Sequence, residues 1–474
     1  MRTRAWRGMV FAAALLLGTL GSAAQQVPDT AAGKQFSGWL AAFNSGDRAT
    51  LLQFYEKNFP ERVRVIDGAM EFRAMTGGFE FKKVDESLPT KLTALMKEKD
   101  SDQFAKLVME VEEAEPHKIT SSDLRACPTP AEFKTARMSE SNLLEGLRKL
   151  AETRAAADKF SGAVSISKNG KIIFAEAYGL SDREKKTPNT LNTQFRMGSM
   201  NKMFTATSIL QLAQAGKLKL TDPLGKYLPD YPNKDVATKV TIHHLLTHTG
   251  GTGDIFGPEF DQHRLELKTL QDYVNLYGKR ALEFEPGSKW EYSNYGFLLL
   301  GVVVEKVSGQ SYYDYVKEHI FKPAGMSSSD SLPEEQAVAG RSVGYTKMDS
   351  PAWKPNTDTL PYRGTSAGGG YTTVEDLQRF ANALLNHKLL DAEHVELLTT
   401  GHADTPRGTK YAYGFMDNNE DGVRWFGHGG GAPGMNGDLR IFPRSGYVIA
   451  VLANMDPQAA DRISSYVSNR LPAN

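Results

Sequence analysis

The 474-residue chain contains a single cysteine, Cys127, so no intrachain disulfide can form and stability must come from a buried core. Neither sign of charge is in excess. The 56 Lys and Arg residues stand against 56 Asp and Glu residues, which argues against a nucleic-acid partner or an anionic membrane surface. After the first 24 residues, no apolar run is long enough to cross a bilayer. These absences favour small molecules as partners.

The first 24 residues have the pattern of a secretory signal peptide. Three arginines precede an apolar run at residues 10–17, and a small-x-small cleavage site ends at Ala24. This run is too short to span a membrane, and no cysteine lies where a bacterial lipoprotein would be lipidated. We therefore predict a signal peptide over residues 1–24, a periplasmic or secreted protein, and no stable membrane anchor.

Residues 31–127 are predicted to form a small α+β domain. Apolar residues first recur at helical spacing, around Trp39 and Phe43, and then alternate with period two, as in the run from Leu107 to Glu112. This order indicates two helices followed by strands. With its opening Trp-Leu-Ala-Ala-Phe-Asn-Ser-Gly-Asp, the region resembles the cone-shaped nuclear-transport-factor-like domains. Residues 128–139, which begin Pro-Thr-Pro, are predicted to be a linker.

Residues 140–474 show strand patterns at both ends and helical patterns in the middle. Asn169-Gly170 joins the first two strand-like runs and is a strong hairpin signal. Because strands from both ends must share a sheet, we expect an antiparallel sheet flanked by helices, with an inserted all-helical lobe. The later strand patterns lie at 424–426, 438–442 and 447–453, and the clearest helical patterns lie at 295–307, 312–321 and 374–385.

The segment 195–216 is predicted to be a buried helix that ends at Gly216 and carries Ser199 and Lys202 in its first turn. Residues three apart lie on the same helical face. An ammonium near a helix start loses water and meets the positive end of the helix dipole, and both effects favour its neutral form. A neutral Lys202 can take the proton from Ser199. Taken alone, however, Ser-x-x-Lys also fits an ordinary capped helix start.

Other motif matches indicate other chemistries. Ser342 and Ser366 each lie in a Gly-x-Ser-x-Gly pattern, and His428 begins a His-Gly-Gly-Gly run like a lipase oxyanion loop. An α/β-hydrolase needs a buried strand before its nucleophile and oxyanion glycines earlier in the chain, and neither condition is met. The pattern from Gly429 to Gly434 imitates a dinucleotide-binding fingerprint, but a strand follows where a helix is required. These matches are therefore set aside.

Two motifs accompany Ser199-x-x-Lys202 in a fixed order, namely Tyr292-x-Asn294 ahead of a helical run and His428-Gly-Gly on a glycine-rich strand. With these motifs, residues 140–474 resemble the serine β-lactamase and penicillin-binding-protein superfamily, in its branch of class C lactamases, D-alanyl-D-alanine peptidases and esterases. The resemblance implies a β-lactamase-like α+β fold and a serine hydrolase that needs no metal and no cofactor.

The resemblance also implies a role for each motif residue. Ser199 would be the nucleophile that forms an acyl-enzyme, and Lys202 and Tyr292 would share the work of the base. Asn294 would hold Lys202 and the substrate amide by hydrogen bonds. The backbone N–H groups of Ser199 and Gly431 would form the oxyanion hole.

The third motif departs from the family pattern. His428, Gly429 and Gly430 stand where lactamases usually carry Lys-Thr-Gly. Because histidine is only partly charged near neutral pH and glycine has no hydroxyl, we expect a weaker grip on a substrate carboxylate. Esters or uncharged acyl compounds are thus the favoured substrates. A D-amino-acid peptidase, a true β-lactamase and an acylation-competent binding or sensor module with little turnover remain alternatives.

His243, His244 and His248 are close in sequence and invite comparison with a metal site. On a helix, however, their spacing spreads the three side chains around the axis, and no carboxylate motif accompanies them. We expect them to pack in the core or to cap a helix.

Overall fold

The computed structural model describes residues 26–348, 350, 352–406, 408–420 and 422–472. The predicted signal peptide lies outside these ranges. The chain divides into two compact units, with the boundary between Thr135 and Ala136. Among the described residues, no helix combines the length and the apolar character that crossing a bilayer requires.

From residue 26 onward, where its description begins, the N-terminal unit contains three α-helices and one antiparallel sheet. Its strands pair in the order β1-β2-β3-β4. The apolar faces of the helices and sheet share one core, in which the Phe43 ring stacks on Trp39 at 5.2 Å and on Phe79 at 5.7 Å between centroids. The elements are α1 (Ala31–Ser45), α2 (Arg48–Asn58), α3 (Ile66–Thr76), β1 (Phe79–Ser87), β2 (Lys91–Glu98), β3 (Phe104–Val111) and β4 (Ile119–Cys127).

Helix α3 was not expected, because the sequence pattern indicated only two helices before the strands. In this helix only Ile66 and Thr76 are buried, so it has no apolar stripe that periodicity could detect. The predicted alternation in β3 is confirmed, with Leu107, Met109 and Val111 facing the core. The nuclear-transport-factor-like resemblance of this unit stays a prediction.

The C-terminal unit is built on an eight-stranded antiparallel sheet of order β13-β14-β15-β16-β17-β18-β5-β6. The strands of this sheet are β5 (Gly162–Lys168), β6 (Lys171–Tyr178), β13 (Ala403–Asp404), β14 (Lys410–Tyr411), β15 (Met416–Glu420), β16 (Val423–Ala432), β17 (Met435–Phe442) and β18 (Tyr447–Ala453). The short strands β7 (Leu180–Asp182), β8 (Thr187–Pro188), β9 (Phe195–Arg196), β10 (Tyr345–Thr346), β11 (Lys354–Pro355) and β12 (Tyr371–Thr372) form two-stranded pairs outside it.

Both ends of this unit's sequence meet in the sheet, where Ile166 of β5 pairs with Ile449 of β18. The β5–β6 hairpin turns at Asn169 and Gly170, whose φ angles of 49° and 77° explain why this pair is favoured there. Core residues alternate along β18 between the two faces of the sheet, so that strand is buried on both sides. The predicted α+β architecture is confirmed.

Helices cover both faces of this sheet. On one face α4 and α15 pack together, and on the other α13 and α5 lie in the largest core. Helices α6 to α12 fall between β9 and β10 in the chain and form the inserted helical part. The helices are α4 (Glu140–Ala156), α5 (Asn201–Gln214), α6 (Lys234–Lys239), α7 (Ile242–Leu246), α8 (Pro258–His263), α9 (Leu270–Tyr277), α10 (Asn294–Ser308), α11 (Tyr312–Val316), α12 (Lys322–Ala324), α13 (Val374–Leu385), α14 (Ala392–Thr399) and α15 (Ala459–Ser468).

The prediction of one helix over 195–216 was wrong at its start. The chain forms β9, then a 3-10 turn at Gly198–Met200, and only then α5. Gly198 has φ +54°, which an α-helix does not allow, and this angle separates the strand from the turn. At the other end Gly216, with φ +69°, follows the last helical turn as predicted. Helix α5 is buried throughout from Asn201 to Leu210.

Two smaller expectations also need correction. Asn294 was expected just ahead of a helix but is the first residue of α10, where the Ser293 hydroxyl caps the helix by accepting the Gly296 N–H at 2.9 Å. The helical pattern at 312–321 is divided into α11 and a π-helical turn over Lys317–Phe321.

Candidate active site

The turn that carries Ser199 lies between strand β16 and a glycine-rich loop at residues 364–370. On the loop side, the Gly369 N–H donates to the Gly198 carbonyl at 3.1 Å, and the Met197 N–H donates to Gly370 at 3.2 Å. On the strand side, a Cβ at Gly430 would clash with the Met197 carbonyl oxygen. Glycine is therefore required where the two segments approach each other.

Lys202 is fully buried one helical turn after Ser199. Its Nζ donates to the Ala367 carbonyl at 2.5 Å and to Asn294 Oδ1 at 2.7 Å, and it lies 3.5 Å from Ser199 Oγ. The Ala367 carbonyl and Asn294 Oδ1 can only accept hydrogen bonds, so in a neutral Lys202 amine they bind both of its N–H groups. The lone pair of the neutral amine is then left for Ser199. The 3.5 Å separation is long, as is common for catalytic hydrogen bonds without substrate.

Burial lowers the pKa of Lys202 to about 7, and the negative charge of Asp254 opposes that shift. Near neutral pH this side chain therefore exchanges readily between ammonium and free amine. A neutral amine next to a serine hydroxyl is the requirement for activating that serine as a nucleophile.

Asp254 fixes the orientation of Asn294. Its carboxylate accepts the Asn294 backbone N–H at 3.0 Å and the Asn294 Nδ2 at 3.1 Å. Because Nδ2 is held by the carboxylate, Oδ1 must face Lys202. Asp254 was not among the predicted site residues, and its signal in the sequence is its place at the end of the Gly-Gly-Thr-Gly loop.

The Tyr292 hydroxyl lies close enough to the Ser199 hydroxyl to affect its own pKa, and the ring packs against Lys202, whose Nζ lies 4.7 Å from the ring centroid. Burial raises the pKa of the phenol above its usual value, and the nearby Ser199 hydroxyl opposes this rise. At neutral pH the phenol is therefore protonated. Of the two groups expected to share the base work, Lys202 is the one whose charge changes near neutrality.

His248 packs against Tyr292, with ring centroids 4.2 Å apart, and also against Tyr411 at 4.5 Å. Its Nδ1 accepts the Ser293 N–H at 3.1 Å, so a neutral ring carries its proton on Nε2. That Nε2 has no hydrogen-bond partner in the described part of the chain. Burial, with the nearby Lys202 and His428, holds the pKa of His248 well below its usual value.

His243 and His244, the other two members of the histidine group at 243–248, make different contacts from those of His248. The His244 side chain completes the capping box of α7 with Thr241, and His243 Nδ1 lies 2.8 Å from the Tyr413 hydroxyl. In the described ranges, no three His, Cys, Asp or Glu side chains are grouped as a metal site would require.

His428 is buried in β16, with its ring centroid 6.4 Å from that of Tyr292. Its Nδ1 lies 2.5 Å from the Gly429 carbonyl, and its Nε2 lies 3.1 Å from the Tyr411 hydroxyl. Burial and the nearby Lys202 lower the pKa of His428 to about 4, against the opposing effect of the Gly429 carbonyl. The residue type predicted a partly charged ring, whereas this ring is neutral near pH 7.

Gly429, Gly430 and Gly431 continue β16 beyond Gly427, where its pairing with β15 ends. The free edge of the strand faces the Ser199 turn. A Cβ added to Gly198 would lie 3.0 Å from the Gly431 nitrogen, so these two segments touch. Asn436 Nδ2 donates to the Gly430 carbonyl at 2.9 Å and fixes the strand. The N–H groups of Ser199 and Gly431 thus lie at one junction, as an oxyanion hole requires.

The loop at 364–370 is a part of the site that sequence analysis set aside. Its Ser366 is fully buried, its carbonyl accepts the Thr205 hydroxyl at 2.7 Å, and its Oγ bonds no described group. Neither this serine nor Ser342, which is also buried, is exposed as a nucleophile. The loop instead supplies the Ala367 carbonyl to Lys202.

The sequence profile described as "Beta-lactamase" matches residues 147–471. The chain belongs to the beta-lactamase family. The match covers most of the C-terminal unit and none of residues 31–127. As a member of this serine-hydrolase family, the chain has the fold that its motifs predicted.

Named relatives and solved structures of the beta-lactamase fold agree with this assignment. The putative penicillin-binding protein PbpX of Bacillus subtilis (strain 168) is 33% identical over 295 residues, which cover 62% of this chain and 70% of that protein. The penicillin-binding protein of Bacillus halodurans has a TM-score of 0.62 at 32% identity, covering 69% of this chain and 98% of that one. A D-stereospecific amidohydrolase from Streptomyces sp. has a TM-score of 0.58 at 29% identity, with coverage of 68% and 97%.

Proposed function

We propose that this protein is an exported serine hydrolase that forms an acyl-enzyme on Ser199 and turns over esters or related acyl compounds. The observation that carries the proposal is the environment of Lys202. The two N–H groups of its neutral amine donate to acceptors, the lone pair of that amine faces Ser199 Oγ, and burial lowers the pKa of Lys202 to about 7. This is the arrangement of a base that removes the serine proton.

The reaction follows from these contacts. As Ser199 Oγ bonds to the acyl carbon, its proton moves to Lys202 Nζ, and the negative charge on the substrate oxygen is stabilised by the N–H groups of Ser199 and Gly431. The leaving alkoxide takes the proton from Lys202, directly or through the Tyr292 hydroxyl. In the second half, water gives a proton to the same groups and attacks the acyl-serine, which releases the acid and restores Ser199.

The preference for uncharged acyl groups rests on His428. A neutral ring with Nδ1 bonded to Gly429 and Nε2 bonded to Tyr411 offers no positive charge to a substrate carboxylate. Charge-assisted hydrogen bonds are about twice as strong as neutral ones, so an anionic substrate has little to gain here.

Hydrolysis of D-amino acid amides or peptides is the second candidate. A cavity of about 90 Å³ is lined by Tyr292 and by three acidic residues, Asp254, Glu283 and Glu291, of which Glu291 is paired with Lys289. A substrate ammonium is the group that such a lining favours. The similarity to the D-stereospecific amidohydrolase supports the same candidate.

Export is part of the proposal and is supported by the pattern of residues 1–24, with its arginines, short apolar run and small-residue cleavage site. Fractionation of cells that express the full-length gene tests it. We expect the mature N-terminus near Gln25 in the periplasmic or culture fraction. Full-length protein that stays in the cytosol would contradict export.

One substrate panel separates the candidates. Purified protein is assayed with a neutral 4-nitrophenyl ester, nitrocefin, and D-alanyl amide and peptide substrates, and the Ser199→Ala variant serves as control. We expect sustained ester turnover that the variant loses, and weak nitrocefin hydrolysis. Dominant amide hydrolysis would favour the second candidate, and fast nitrocefin hydrolysis would indicate a lactamase. A single burst without turnover would indicate a sensor.

A further inference from the structure

We propose that Thr205 is a positioning residue for the catalytic base, Lys202. Its hydroxyl fixes the loop at 364–370, and the Ala367 carbonyl of that loop accepts an N–H of Lys202. With that N–H bound, the lone pair of the neutral amine is left for Ser199 Oγ. This inference rests on the proposed function, and Thr205 lies outside the three motifs.

Three consecutive carbonyls of the loop accept hydrogen bonds from side chains in the first two turns of α5, all of which are buried. The pairs are Asn201 Nδ2 with the Thr365 oxygen, Thr205 Oγ1 with the Ser366 oxygen at 2.7 Å, and Lys202 Nζ with the Ala367 oxygen at 2.5 Å. Consecutive peptide planes are linked through a single Cα, so the direction of the Ser366 carbonyl constrains that of the Ala367 carbonyl.

The direction of the Thr205 hydrogen bond follows from its neighbours. A carbonyl only accepts, so the contact with Ser366 uses the single hydroxyl hydrogen of Thr205. The Asn201 carbonyl, at 3.4 Å, is a more distant acceptor for the same hydrogen. The Tyr312 hydroxyl lies 2.7 Å from Thr205 Oγ1 and is therefore the donor in that contact. Tyr312 of α11 thus supplies a second hydrogen bond that orients the Thr205 hydroxyl.

The loop lies directly against α10 at Ser366. A Cβ added to Gly301 would lie 2.3 Å from Ser366 Oγ, and this Oγ bonds no described group. The hydrogen bond that fixes this residue is therefore the one to its carbonyl. Further along, Gly369 and Gly370 bond to the turn that carries the nucleophile. The bond from Thr205 thus fixes the middle of the loop.

The test is the second-order rate constant for fluorophosphonate labelling of Ser199 in Thr205→Val, measured from pH 5 to 9. Valine keeps the branched shape and removes the hydroxyl, so the buried Ser366 carbonyl loses its donor. The amine of Lys202 is then less well directed at Ser199. We expect the rate constant of the folded variant to fall about tenfold. The fall persists above pH 8, where the amine is already neutral in the wild type.

Thr207→Val is the matched control. Thr207 is equally buried on the same helix, but its hydroxyl donates to the Met203 carbonyl at 2.7 Å, within α5 itself. We expect Thr207→Val to lower the free energy of unfolding as Thr205→Val does, and to keep the labelling rate within about threefold of the wild type. Thr205→Ser retains the hydroxyl and should keep the rate in the same range.

Tyr312→Phe is a second variant, which removes the donor to Thr205 and keeps the ring. We expect labelling to slow about threefold, and the double variant Thr205→Val/Tyr312→Phe to be no slower than Thr205→Val, because both changes act through one hydroxyl. If Thr205→Val does not fold, Tyr312→Phe decides.

An unchanged labelling rate in folded Thr205→Val or Tyr312→Phe would overturn the proposal. So would an equal loss of rate in Thr207→Val. A loss in Thr205→Val that disappears at pH 9 would also overturn it, because such a loss would come from the charge of Lys202 and not from its position. Labelling needs no turnover. An unlabelled Ser199 in the wild type would instead refute the proposed function, on which this inference rests.

Discussion

The pH dependence of acylation follows from the buried state of Lys202. The base must be neutral to take the Ser199 proton, and its pKa is about 7. The reactive fraction is therefore about one half at pH 7, about one tenth at pH 6 and about one hundredth at pH 5. We expect kcat/KM for a neutral ester to rise about tenfold per pH unit below pH 7 and to level off above pH 8.

The assay is the initial rate of 4-nitrophenyl ester hydrolysis at low substrate concentration from pH 5 to 9, with folding checked by circular dichroism at each pH. A neutral ester is needed because its own charge does not change in this range. If a carboxylate of ordinary pKa were the base, kcat/KM would begin to fall only near pH 4. If the base were an unperturbed lysine, kcat/KM would already fall below about pH 10.5. Either result, or a flat profile, would refute the assignment of Lys202 as the base.

Three further predictions concern the same contacts. Asp254→Asn removes a negative charge that raises the pKa of Lys202, so the acid limb of kcat/KM should move to lower pH, and a shift to higher pH would contradict this. Between pH 7 and 10.5, Lys202 carries a proton in the unfolded chain that it lacks in the folded protein. The free energy of unfolding of the wild type, taken relative to that of Lys202→Met, should therefore rise with pH, by about 2 kcal/mol from pH 7 to 9 in urea titrations. A constant difference would show that the folded pKa is ordinary. In Gly430→Ala the new Cβ pushes against the Met197 carbonyl, and kcat/KM should fall about a hundredfold. In Gly429→Ala the nearest neighbour of the new Cβ lies at 3.5 Å, and kcat/KM should stay within about threefold of the wild-type value. Equal effects of the two alanines on rate would contradict the close approach at Gly430.

Features set by neighbouring residues could be predicted from the sequence. The Asn169-Gly170 turn, the strand at 447–453 and the helix at 374–385 depend on local conformation and periodicity, and the structure has them where the pattern placed them. The pairing of Ser199 with Lys202 is also local, since three residues separate them.

Features set by distant contacts could not be predicted. Asp254 lies 40 positions from the Asn294 it orients, and Ala367 lies 165 positions from Lys202. The start of helix α5 was misplaced because the positive φ of Gly198 goes with its close approach to β16, which periodicity does not report. Likewise the charge state of His428 depends on burial and on the nearby Lys202, not on residue type alone.

Covalent labelling of the nucleophile tests the central claim most directly. Protein is treated with a fluorophosphonate at pH 8, digested and mapped by mass spectrometry, in parallel with the Ser199→Ala and Lys202→Met variants. We expect a single adduct on Ser199, none in Ser199→Ala, and slow labelling in Lys202→Met. An adduct on another serine, or equal labelling of wild type and Ser199→Ala, would contradict Ser199 as the nucleophile.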